Sequence, residues 1–68
     1  MKLITESIIY KMINLVLSKN KPFVLEEVVL DFKNNGFVYN RKSTRNFLNQ
    51  LLDNGLLVEH YPYFSVIN

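Results

Sequence analysis

The sequence predicts a single α+β domain, mostly helical: three helices, one short strand and a C-terminal β-hairpin across residues 1–68. Three observations predict it. Between residues 40 and 57, Thr44, Phe47, Leu48, Leu51 and Leu52 fall on one side of a helix, while Lys42, Asn46, Asn49, Gln50 and Asp53 fall on the other, with Arg45 at the boundary. Near the start, Ile8, Ile9, Met12, Ile13 and Val16 repeat at helical spacing. After Gly55, two short β-prone runs flank Pro62, which reads as a hairpin.

Length and composition limit the remaining possibilities. A chain of 68 residues makes one domain at most and buries only about 60% of the surface its unfolded chain exposes, so oligomerisation is a reasonable supplement. The absence of Cys removes disulfides and thiolate metal sites, and His60 alone cannot build a zinc site. No phosphate loop, nucleophile motif or paired carboxylates are present, so no enzyme, cofactor or metal is expected. No apolar run reaches the length of a membrane span. Glu6, Lys11 and Asn14 interrupt the first apolar stretch, which reads as a helix of a cytoplasmic protein and not as a signal peptide.

The first helix is predicted to start at a cap from Thr5 or Ser7 and to run to about Ser18. Tyr10, Leu15 and Leu17 widen its apolar arc beyond one face, and Tyr10 and Leu17 are the expected homodimer contact. Lys19-Asn20-Lys21-Pro22 is a turn. Phe23-Val24-Leu25 is a short β-prone run. Glu26 and Glu27 suit the first turn of a second helix, where acids oppose the helix dipole favourably, and Asn34-Asn35-Gly36 ends it. Val28, Val29 and Phe32 form its core face. Phe37 and Tyr39 pin the connection to the third helix.

That third helix, about residues 41–54, has Asn40 or Ser43 as its N-cap and Asn54-Gly55 as its left-handed stop. Arg41, Lys42 and Arg45 crowd its start. In the hairpin, antiparallel pairing around Pro62 puts Leu57 and Val66 on one face and Val58, His60 and Ser65 on the other. Proline cannot supply the left-handed residues of a tight two-residue turn, so a longer or irregular tip is expected.

The polar side of the third helix has the chemistry of a nucleic-acid reader. Arg and Lys neutralise phosphates, and Asn and Gln can make paired hydrogen bonds to adenine edges. The charge distribution agrees. Four cations and four acids cancel within residues 1–32, whereas four cations meet two acids within residues 33–68, so the net +2 lies wholly in the second half.

The pattern Ser43-Thr44-Arg45, Leu48, Leu51, Gly55-Leu56-Leu57 resembles the third helix and first wing strand of winged helix-turn-helix proteins. The predicted order of helix, short strand, two helices and hairpin is similar to that family along nearly the whole chain. The resemblance implies a winged helix with its recognition helix in the major groove of double-stranded DNA, as in a small transcription regulator of phage, viral or plasmid type. It implies phosphate or base contacts from Arg41, Lys42, Ser43, Thr44, Arg45, Asn46, Asn49 and Gln50, with Tyr61 and Tyr63 offered by the wing. Arg45, Asn46 and Asn49 are the expected base readers. A homodimer on half-sites about 34–36 Å apart would strengthen single-copy binding. The wing has no Arg or Lys at its tip, unlike those that grip DNA. The rival reading is a protein-interaction module on the same fold, such as a small phage protein that binds or inhibits a host protein.

Overall fold

A computed structural model of the chain describes residues 6–67. Helix α1 spans Glu6–Leu17, strand β1 Phe23–Val24, helix α2 Leu25–Asn34, helix α3 Arg41–Asp53, strand β2 Leu57–His60 and strand β3 Tyr63–Val66. The strands form one antiparallel sheet in the order β1-β3-β2. Three helices carrying a hairpin wing, with β1 completing its sheet, make a winged-helix-like arrangement.

The core is where the apolar faces of these elements meet. Met12 and Val16 of α1, Leu25, Val28 and Phe32 of α2, and Phe47, Leu48 and Leu51 of α3 are buried there, under Phe23, Leu57 and Phe64 of the sheet. Phe32 is its centre. Its ring meets those of Phe37, Tyr39 and Phe47 edge-on at 5.6–5.9 Å. Such contacts add to what burial alone contributes.

Helices α2 and α3 stop in the same way. Gly36 and Gly55 take φ of +79° and +74°, the left-handed region that favours glycine. At the end of α2, Phe37 N–H donates to the Phe32 carbonyl and Gly36 N–H to that of Lys33. At the end of α3, Leu56 N–H donates to Leu51 and Gly55 N–H to Leu52. Both are Schellman motifs, and each returns the chain to the core with an apolar residue just past the glycine.

The hairpin has the expected register. Leu57 pairs with Val66 and Val58 with Ser65. The tip differs from expectation: it is two residues long, Tyr61-Pro62, joined by a cis peptide bond, and no residue in it has positive φ. A cis proline in a type VI turn reverses the chain by another route than the left-handed residues that were thought necessary. Leu25 begins α2 and is not part of β1.

Two further expectations are corrected in α1. Ile9, placed in the core stripe, is 38% exposed at the rim. Ser7 lies inside the helix and is not its cap, while Thr5 is outside the described residues. The turn after α1 is tied to α2 by Lys19, whose ammonium donates to Glu27 at 2.6 Å, lies 2.7 Å from Asp31 and sits over the Phe23 ring. Burial pushes the Lys19 pKa down, but hydrogen bonds to Asp31 and Glu27 outweigh it and hold the group above its ordinary value.

Candidate nucleic-acid interface

Helix α3 is seated by its first turn. Asn40 caps it, its side chain accepting Ser43 N–H at 2.7 Å. Thr44 is fully buried, and its hydroxyl donates to the Asn40 carbonyl at 2.8 Å. Thr44 is therefore part of the seat, which corrects its assignment as a DNA contact. With Phe47, Leu48 and Leu51 also buried, the opposite side of the helix is fixed outward.

That outward side carries Arg41, Lys42, Asn46, Gln50 and Asp53, all exposed, with Ser43 and Asn49 half-buried at its margins. The expected split of α3 into apolar and polar sides holds. A cleft between the start of α3 and the hairpin tip is lined by Leu25, Arg41, Lys42, Arg45, Asn46 and Tyr61. Tyr61, 88% exposed, reaches it from the tip. Tyr63 does not. Phe64 turns into the core, so its neighbour Tyr63 faces the outer side of the sheet, away from α3.

Two of the three helix cations are already partnered. Arg45 makes a two-pronged pair with Glu59 of β2, both hydrogen bonds 3.0 Å long, and its guanidinium lies 5.2 Å from the centre of the Phe64 ring. The side chains retain 38% and 23% exposure. This fork-to-carboxylate geometry fastens the hairpin to α3. Arg45 is thus a strut between helix and wing in this structure, which corrects its expected place as a base reader. Arg41 donates to Glu26 at 2.5 Å, but there both partners are well exposed.

The hydrogen bond from Arg41 holds the Glu26 carboxyl below its ordinary pKa. The contribution of this pair is therefore complete above the usual carboxylate range and is lost as pH falls through the lowered value. In an NMR titration the Glu26 carboxyl should titrate below the ordinary value and return towards it in Arg41→Ala. An unchanged midpoint in that variant would show that the pair is not held in solution.

Glu26 and Glu59 are the residues that sequence reasoning missed. Glu59 could have been found: it alternates with Leu57 and so lies on the inner face of the hairpin, where a lone carboxylate needs a cation. Glu26 gives no comparable signal. Its pairing also revises the charge footprint, because an acid from the first half of the chain neutralises a cation of the second. Lys42 remains the one cation of α3 outside an ion pair among the described residues.

No family model, curated protein or solved structure matches the chain. Its chemistry is therefore argued from the surface itself. On the α1 side of the same outward strip, Ile9, Val38, Tyr39, Ser43, Asn46, Phe47 and Gln50 line a second groove, in which Val38 is 96% exposed. Among the described residues no cluster of His, Cys, Asp or Glu could hold a metal ion, and no helix is long and apolar enough to cross a membrane.

Proposed function

We propose that the chain binds double-stranded DNA, with the outward strip of α3 in the major groove. The observation that carries this reading is the juxtaposition of Lys42, Asn46 and Gln50 on a rigidly seated helix, beside a cleft that holds Arg41 and Tyr61. Lys42 supplies a phosphate contact. Arg41 supplies another by exchanging Glu26 for phosphate, since an exposed ion pair contributes little to the fold and opposes the exchange weakly. The amides of Asn46 and Gln50 offer the donor and acceptor pair that matches an adenine edge. The Tyr61 hydroxyl can donate to a phosphate at the flank. Arg45 does not read bases in this scheme; it keeps the hairpin and the helix in register.

The two cationic phosphate contacts, Lys42 and Arg41, set the salt dependence. The logarithm of the binding constant should fall with the logarithm of salt at a slope of about −2, far shallower than for a large repressor. Fluorescence anisotropy on a random duplex across a salt series measures it. Lys42→Ala should weaken binding to all sequences alike and reduce the slope by about 1, whereas Gln50→Ala should change which sequences are preferred. Absence of salt-sensitive duplex binding at low ionic strength would refute the reading.

The second groove favours a different class of partner. Its apolar lining of Ile9, Val38, Tyr39 and Phe47, open to solvent, suits the side chains of another protein better than a polyanion. Failure to be retained on heparin at low salt would point to that reading.

A further inference from the structure

The connection from α2 to α3 holds one aliphatic side chain almost wholly in solvent. On either side of it, Phe37 and Tyr39 set their rings edge-on against Phe32, at 5.7 and 5.9 Å. Between these two anchors Val38 is 96% exposed, presented outward on a short, pinned segment. It lines the groove on the α1 side of α3 together with Ile9 of α1, and α3 contributes Ser43, Asn46 and Gln50 to the same groove. No charged residue lines it. The cations Arg41 and Lys42 open instead on the cleft at the other flank of α3, and Asn46 is common to both.

Resting on the duplex-binding reading above, we infer that this groove reads A·T pairs, taking the C5 methyl of thymine against Val38 and Ile9 while Asn46 or Gln50 bonds the adenine. In the major groove an A·T pair shows adenine N7 and N6 at one end of its edge and thymine O4 and the methyl at the other. An amide matches the first end and an aliphatic side chain the second. The groove brings those two kinds of group together. A G·C pair offers no methyl, and the two acceptors of guanine call for Arg or Lys, which this groove lacks. Its uncharged lining is ill suited to phosphate, but on a duplex this flank meets base edges while the backbone is met at the cationic flank. A methyl seated on Val38 takes apolar surface of both partners out of water.

Uracil differs from thymine by that methyl alone, so it isolates the contact. Fluorescence anisotropy at low salt on oligo(dA)·oligo(dT) and oligo(dA)·oligo(dU) duplexes of equal length tests it. The two offer the same phosphates and the same hydrogen-bonding groups. The wild-type chain should bind the thymine duplex about fourfold more tightly for each methyl taken up, the value of one apolar carbon removed from water. Val38→Ser should remove most of that ratio, with thymine-duplex affinity falling towards the uracil value and the melting temperature of the protein little changed. Leu30→Ser, at a 56% exposed position of α2, should leave the ratio at its wild-type value. Equal wild-type affinities for the two duplexes would overturn the inference and leave duplex binding standing. A ratio that survives Val38→Ser would overturn it too, because the methyl would then act at another place or through duplex shape. Binding to neither duplex would refute the reading on which it rests, and the inference with it, and leave the groove to another protein.

Discussion

Arg45→Ala should cost the fold about 1–2 kcal/mol, and Glu59→Ala a similar amount. A charge-assisted hydrogen bond contributes about 1.5–3 kcal/mol when well shielded. The remaining 38% and 23% exposure of the two side chains lets solvent screen the pair, so the lower part of that range applies. Stacking over Phe64 adds to the loss on the arginine side. In a domain of this size the change should lower the melting temperature by roughly 7–14 °C. Arg45→Lys should not restore it, because an ammonium cannot reproduce the planar fork. The double variant should lose less than the sum of the two singles. Strict additivity would mean that the pair is not formed in solution, and it would return Arg45 to the cations available for DNA. Measured at a temperature where each variant is folded, duplex affinity should change less in Arg45→Ala than in Lys42→Ala.

The largest loss of stability is expected at Phe32. It is fully buried and touches three other rings, so Phe32→Ala should cost about 3–5 kcal/mol. A single small core rarely supplies more than about 3–5 kcal/mol in total. The variant should therefore be largely unfolded at room temperature, with collapsed amide dispersion and no cooperative melt. Phe32→Leu should remain folded and melt lower than the wild-type chain. A Phe32→Ala protein with a near-wild-type melting temperature would show that the aromatic cluster is not the centre of the core.

The parts of the fold that local rules decide could be read from the residues. The split of α3 follows from periodicity, its ends from Asn40 and Gly55, and the register of the hairpin from alternation about Pro62. In α1 the expected core stripe holds at Met12 and Val16, with Ile8 and Ile13 packed at its edge, and fails at Ile9. The apolar arc of this helix is so wide that periodicity alone could not say which side the body would cover, and Ile9 was placed wrongly as a result. The hairpin tip was misjudged because a two-residue turn was taken to need left-handed residues, which proline cannot supply.

The candidate site was less legible than the fold, for one physical reason. Arg41 and Glu26 are 15 positions apart, and Arg45 and Glu59 are 14, so neither pair shows at any helical or strand spacing. A cation on an amphipathic helix looks the same in a sequence whether it meets solvent, phosphate or a carboxylate of its own chain. Thr44 was ambiguous in a similar way, since a small hydroxyl residue suits a buried seat as well as a phosphate. Lys42, Asn46 and Gln50 kept their expected outward places because apolar neighbours on α3 decide them.

The strand order carries a consequence for biosynthesis. The middle strand of the sheet, β3, is the last to be made, and Phe23 stacks on Phe64 across it. A nascent chain leaving the ribosome thus presents all three helices before the strand that ties the early and late segments together has cleared the exit tunnel. Vectorial synthesis cannot complete this domain piece by piece; closure waits for the tunnel to release residues 63–66.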